Sequence, residues 1–106
     1  MAIKLTDVQR ETLRSVFRHH TDSIRAVGVY GSRVQGRSRT GSDVDIVVYG
    51  EVDGRTLAQI DRDIDASDLS IFWNLTAYAD VADARLKDQI DHWVQPLFTR
   101  QELLVA

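Results

Sequence analysis

Two aspartates at the start of an apolar run constrain this sequence more than any other feature. Asp43 precedes the run from Val44 to Tyr49, and Asp45 lies within it. Side chains alternate between the two faces of a strand, so Asp43 and Asp45 project from one face and Val44, Ile46 and Val48 from the other. Like charges this close repel unless a cation lies between them. The pair therefore predicts a site for a hard divalent cation, Mg2+ or Mn2+.

A second apolar run ends in a turn suited to phosphate. Val27 to Tyr30 has the β-branched character of a buried strand, and Gly31–Ser32 marks its turn into a helix. The N-terminus of a helix presents free backbone N–H groups and a positive dipole end, and both attract anions. Ser32 adds a hydroxyl group and Arg33 a guanidinium group. We therefore predict a phosphate site at Gly31, Ser32 and Arg33, with Ser42 supporting the approach to the aspartates.

The spacing of these residues resembles a known signature. Gly31–Ser32, ten intervening residues and Asp43–x–Asp45 are similar to the motif of the DNA polymerase β-like nucleotidyltransferase superfamily, in its minimal nucleotidyltransferase (MNT) form. The resemblance runs from about Val16 to Phe98. It implies transfer of a nucleoside monophosphate, with AMP from ATP expected over other nucleoside triphosphates, and release of pyrophosphate. It also implies two Mg2+ ions, replaceable by Mn2+, with Asp43 and Asp45 as catalytic metal ligands and Gly31, Ser32, Arg33 and Ser42 holding the nucleotide.

A third carboxylate is expected at Asp68. Leu69, Ile71 and Trp73 alternate with other residues in a predicted third strand, which the helix before it allows to lie parallel to the second. Metal-dependent transfer to a hydroxyl group generally requires such a carboxylate, to complete the second metal shell and to receive the proton. In related MNT domains a Val–Asp–Leu–Ser strand supplies it, and residues 67–70 match with Ser in place of Val. Asp68 is therefore predicted as a catalytic metal ligand, in preference to Asp65.

The remaining segments predict an α+β fold with the order αβαβαβα, in which helices pack on a small mixed sheet of three to four strands. Thr6 and Gln9 form a capping box before a helix that ends near His20. Leu57, Ile60 and Ile64 have the spacing of an amphipathic helix over 54–65. Further elements are expected at 24–30 (strand), after Asp80 (a helix capped by this residue) and at 94–98 (an edge strand containing Pro96).

Length and composition exclude several classes of protein. The 106 residues predict one domain, 1–106, with no room for a second lobe. The net charge of −3 offers no basic surface, so we expect no direct nucleic-acid binding. The sequence has no cysteine, no apolar run long enough to span a membrane and no signal-peptide pattern. These features predict a cytoplasmic protein that does not bind membranes.

The acceptor of the nucleotide must then be small, or another chain must bind it. The resemblance implies an all-helical partner of the HEPN or substrate-binding type. Some such proteins form toxin–antitoxin pairs, in which the MNT protein adenylylates its partner. A homodimer would also explain the missing acceptor surface. An alternative from a different class is a non-catalytic binding module that neutralises or scaffolds such a partner. The full set of predicted site residues favours the enzyme, because an idle site would tend to lose clustered acids.

Overall fold

A computed structural model describes residues 5–31 and 43–105, and within these ranges the polypeptide forms four strands and four α-helices. The strands are β1 (Ile24–Tyr30), β2 (Val44–Gly50), β3 (Trp73–Ala77) and β4 (Gln95–Thr99). The helices are α1 (Asp7–Phe17), α2 (Gly54–Asp65), α3 (Ala84–Trp93) and α4 (Arg100–Leu104). The predicted site residues Ser32, Arg33 and Ser42 lie outside the described residues.

Local sequence signals begin the helices. The predicted capping box of α1 is present, since Gln9 N donates to Thr6 Oγ1 at 3.1 Å and Thr6 N donates to Gln9 Oε1 at 3.0 Å. A 3-10 turn continues α1 to His20, where the sequence predicted the helix to end. Helix α2 has the predicted bounds and is capped by Asp53. These side chains satisfy backbone N–H groups that the first helical turn leaves unpaired.

The sheet is mixed, as predicted, with the strand order β3-β2-β1-β4. β1 pairs antiparallel with both β2 and β4, and β3 pairs parallel with β2. β4 lies at one edge of the sheet and carries Pro96, which confirms the predicted edge strand. The connection through α2 gives β2 and β3 their parallel pairing, which brings the N-terminal ends of both strands to one end of the sheet.

Each face of the sheet has its own layer of helix. Helices α1, α2 and α4 cover the first face, where Val44, Ile46 and Val48 of β2 are fully buried in the larger core cluster. Helix α3 covers the second face through Ile90, which packs with Tyr30 and Val47. The alternation predicted for β2 is therefore confirmed, because neighbouring residues of this strand enter different clusters.

The predicted third strand was placed too early in the sequence. β3 begins at Trp73, and residues 66–72 form a turn and an irregular connection. Ser67 explains the difference, since its hydroxyl group bonds to the carbonyl oxygen of Ile64 and accepts a hydrogen bond from Leu69 N at 3.2 Å. Such local side-chain bonds compete with strand pairing. Leu69 and Ile71 pack against the core cluster from this connection, so they follow the period of a strand without forming one.

The cap of α3 also differs from the prediction. Asp80 ends a 3-10 turn, and Asp83 caps the helix by accepting a hydrogen bond from Arg85 N at 2.9 Å. Several aspartates precede this helix, so sequence alone does not fix which of them is the cap. In the part of the chain that the structure describes, every helix lacks the length and apolar character of a membrane span.

Candidate active site

The two predicted metal ligands lie side by side at one end of the sheet. Asp43 is exposed directly before β2, and the half-buried Asp45 is the second residue of that strand. A third side chain joins them, because Asn74 Nδ2 donates to Asp43 Oδ2 at 3.1 Å and to Asp45 Oδ1 at 3.0 Å. Two carboxylate oxygens therefore flank one hydrogen-bond donor. The contacts arise from strand register, in which Asn74 of β3 is paired with Asp45 of β2.

The turn after β1 approaches the same carboxylates. Gly31 has a φ angle of +80°, a conformation that residues with a Cβ rarely adopt. A Cβ built at this position would overlap Asp45 Oδ2. The Asp45 carboxylate lies in the space that a side chain at Gly31 would occupy. The predicted phosphate turn and the aspartate pair are therefore neighbours in one candidate site.

Tyr30 forms the buried border of this site. It pairs with Asp45 across β1 and β2, and its side chain is in the core cluster of the second face. Its hydroxyl group lies 3.4 Å from Thr76 Oγ1. Burial raises the pKa of Tyr30, the hydrogen bond with Thr76 acts in the opposite direction, and the negative charge of Asp45 raises the pKa further. Tyr30 therefore stays a neutral phenol beside the carboxylates and adds no negative charge.

Asp68 does not join the pair, contrary to the prediction. It is exposed and lines a cleft between α1 and the end of α2, together with His19 and Asp63. These helices cover the first face of the sheet, whereas Asp45 projects from the second face with Tyr30 and Val47. The cause is the late start of β3, which leaves Asp68 in the connection before the strand.

The acidic pair fits a hard cation, although it has no third acidic partner. Within residues 5–31 and 43–105, no three His, Cys, Asp or Glu side chains come close enough to hold a metal ion together. Asp43 and Asp45 nevertheless each direct a carboxylate oxygen toward the same place, which the NH2 group of Asn74 occupies. Mg2+ and Mn2+ bind through few carboxylates when phosphate oxygens and water complete the shell.

A comparison with family models shows which family this chain belongs to. The family model described as "Polymerase beta, Nucleotidyltransferase" matches residues 11–103. The chain belongs to this family. The match includes the Gly31 turn, the aspartate pair and β3, so this polymerase β-type nucleotidyltransferase has its candidate site within the matched region. A comparison with curated proteins gave no significant match.

Solved structures share the fold at low sequence identity. One chain of a toxin–antitoxin complex crystallised with AMP-PNP aligns with a TM-score of 0.69 and 20% identity, over 89% of this nucleotidyltransferase and 77% of that chain. A complex of a tri-AMPylated Shewanella oneidensis HEPN toxin with an MNT antitoxin gives 0.66 and 15%, over 92% and 75%. A putative nucleotidyltransferase from Sulfolobus solfataricus gives 0.50 and 13%, over 95% and 96%. These likenesses confirm the polymerase β-like fold.

Asn74 is the site residue that the sequence analysis of this nucleotidyltransferase missed. A signal for it was available, because Trp73–Asn74–Leu75–Thr76 has the apolar–polar–Leu–hydroxyl form of the Val–Asp–Leu–Ser strand, with an amide in place of the acid. Residues 67–70 compete with this segment in the sequence, because they contain an aspartate at the matching position. The register of β3 with β2 decides between the two segments, and sequence alone does not give that register.

Proposed function

We propose that this chain is a metal-dependent nucleotidyltransferase that transfers AMP from ATP to a hydroxyl group of an all-helical partner protein of the HEPN type. The observation that carries the proposal is the pair Asp43–Asp45, held on either side of one point against the Gly31 turn in a chain of the polymerase β family. A cation bound between these carboxylates would be in position to share its coordination with the phosphates of a nucleotide.

The chemistry follows from these residues. Asp43 and Asp45 would hold Mg2+, which supplies charge neutralisation for the phosphate oxygens when it is bound. The acceptor oxygen forms a bond to the α-phosphorus as the bond from that phosphorus to the bridging oxygen breaks, and pyrophosphate leaves. The proton of the acceptor hydroxyl passes to water or to a basic group that the acceptor brings. The contribution of the protein is positioning and electrostatic stabilisation, as in phosphoryl transfer generally.

The nucleotide contacts belong to the proposal as well. Gly31 lies at the turn, and Ser32, Arg33 and Ser42 are assigned to the phosphates from the sequence pattern. Arg33 is suited to this role because a guanidinium group binds two phosphate oxygens at once.

Two similar structures support the choice of nucleotide and of acceptor. One is a toxin–antitoxin complex with AMP-PNP, an ATP analogue, and the other contains a tri-AMPylated HEPN toxin with an MNT antitoxin. The acceptor that we propose is therefore a hydroxyl group on a partner of the same class. A cytoplasmic location follows from this assignment, since ATP and such partners meet in the cytoplasm.

A binding experiment tests the nucleotide site. Calorimetric titration of a non-hydrolysable ATP analogue with Mg2+ should give binding to the wild type and none to the double variant Asp43→Asn/Asp45→Asn. Asp68→Asn is the matched control, because it removes one carboxylate outside the site and should leave the affinity unchanged. Equal affinity of the wild type and the double variant would refute the proposed site.

A transfer experiment separates the enzyme from a non-catalytic binding module. ATP labelled at the α-phosphate should transfer its label to the co-purified partner in the presence of the wild type, and Asp45→Asn should lower the rate at least a hundredfold. The variant should still bind the partner, because Asp45 lies in the nucleotide site. Partner binding by the wild type without any transfer of label would favour the binding module over the enzyme.

A further inference from the structure

Asn74 lies on β3 beside the aspartate pair, where the sequence predicted the carboxylate of Asp68. β3 pairs parallel with β2, and Asn74 is in register with Asp45. Paired residues of neighbouring strands project from the same face, so the Asn74 side chain lies beside the two aspartates. Its amide nitrogen lies 3.1 Å from Asp43 Oδ2 and 3.0 Å from Asp45 Oδ1.

The amide group has two functions in this arrangement. Its NH2 group has two N–H bonds, one for each carboxylate, and their positive ends offset the repulsion between Asp43 and Asp45. It thus holds both carboxylates against one amide group. A cation that enters must displace these N–H groups, which costs little here because Asn74 is exposed and water can hydrogen-bond to the freed amide.

What the amide lacks is charge and basicity. An aspartate at this position would add a third negative charge and a strong metal ligand, whereas the asparagine oxygen is neutral. No other residue makes up the difference within residues 5–31 and 43–105, where no set of three acidic, His or Cys side chains could hold an ion. Residues 32–42, which join the Gly31 turn to Asp43, contain no Asp, Glu, His or Cys in their sequence.

We propose that Asn74 is a positioning residue that limits this site to one divalent cation, bound by Asp43 and Asp45 together with the nucleotide. This inference rests on the proposed nucleotidyltransferase function and replaces the two ions that the family resemblance implied. With the neutral Asn74 beside the aspartate pair, we expect the acceptor proton to pass to water or to a basic group of the acceptor. The substitution Asn74→Asp supplies the missing ligand at the same position and nearly the same size, and should create a place for a second ion.

Counting bound Mn2+ tests the inference without any measurement of activity. Equilibrium dialysis with a non-hydrolysable ATP analogue, corrected for Mn2+ on free nucleotide, should give one ion per wild-type chain and two per Asn74→Asp chain. Two Mn2+ ions in one site lie about 3.5–4 Å apart and couple magnetically. Electron paramagnetic resonance should therefore detect a coupled pair in the variant alone.

Two controls accompany the count. Asp68→Asn should retain one ion, because Asp68 lies on the other side of the sheet. Thermal unfolding should show that Asn74→Asp remains folded, as expected for an exposed residue on an edge strand.

Each result decides between the proposals. Two ions on the wild type would overturn the inference and leave the proposed function standing, and so would a single ion on a folded Asn74→Asp chain. A wild type that binds neither Mn2+ nor the nucleotide analogue would overturn the proposed function and the inference with it. One ion on the wild type and two on the variant would support both.

Discussion

Single residues decide whether the site can form, and Gly31 is the clearest case. Its φ angle of +80° lies in the left-handed region, and its missing side chain leaves the space for the Asp45 carboxylate. Both features depend on the absence of a Cβ atom, and neither depends on hydrophobicity or charge. A residue without a side chain thus determines where a carboxylate of the candidate site can lie.

We predict that Gly31→Ala destabilises the protein by roughly 1–3 kcal/mol, because alanine is strained at this φ angle and its Cβ would displace Asp45. It should also weaken Mn2+ binding, since Asp45 must move. Urea unfolding and Mn2+ titration measure the two effects. Gly54→Ala is the control, because a Cβ at Gly54 meets no atom within 4 Å and alanine favours a helix. Equal stability of the two variants would contradict the prediction.

At the scale of elements, the short helix α4 shows how five residues attach to a core. A capping box begins the helix, with Glu102 N donating to Thr99 Oγ1 at 3.1 Å. Leu103 is buried in the larger cluster, whereas its neighbour Leu104 is 64% exposed. Arg14 of α1 donates to the carbonyl oxygens of Glu102 and Val105 at 2.9 and 2.6 Å. Arg100 of α4 also donates from Nε to the carbonyl oxygen of Ile24 at 2.9 Å. One apolar side chain and two arginines therefore attach α4 to the rest of the protein.

We predict that Leu103→Ala lowers the free energy of unfolding by about 2–5 kcal/mol, since it leaves a cavity in a packed core. Leu104→Ala removes the same atoms from an exposed position and should change it by less than about 0.5 kcal/mol. Urea unfolding of both variants gives the comparison. If both variants lost the same stability, α4 would not be attached through Leu103.

At the scale of the whole molecule, a hydrogen bond links two of the helices that cover the first face. His20, at the end of the turn after α1, lies with Nε2 2.7 Å from Asp63 Oδ2 of α2. Gln59 donates to the other oxygen of Asp63 at 2.9 Å. The hydrogen bond from His20 lowers the pKa of Asp63, and the one from Gln59 lowers it further, while burial acts in the opposite direction. Folding stability is thereby linked to pH through a carboxylate outside the candidate active site.

The sign of this effect follows from the lowered pKa. The ionised Asp63 stabilises the fold above the pKa of an unfolded aspartate, about 3.9, and this contribution is lost as the pH falls through the lower folded value. Asp63→Asn should therefore be less stable than the wild type at pH 7, with a difference that shrinks below about pH 4. Urea unfolding at several pH values measures the difference. Asp88→Asn, on the exposed side of α3, is the control for the loss of one carboxylate.

The sequence predicted the parts of the molecule that depend on local signals. Residues close together in the sequence determine three of them: the capping box of Thr6 and Gln9, the bounds of α2 and the alternation along β2. The start of β3 could not be predicted in this way. Ser67 forms local hydrogen bonds with Ile64 and Leu69, and this segment does not pair with β2 although its apolar residues alternate as in a strand. The partnership of Asn74 with Asp45 depends on the register of strands that are 29 residues apart, which no nearby residue specifies.

The position of Asn74 has a consequence for the history of such chains. The codons for asparagine and aspartate differ by a single base, and Asn74 is exposed on an edge strand where a change of side chain disturbs no core packing. A lineage could therefore gain or lose the third carboxylate in one mutational step while the sheet, the glycine turn and the aspartate pair stayed the same. Among relatives with this fold, the residue at this position should vary more readily than the two aspartates that it joins.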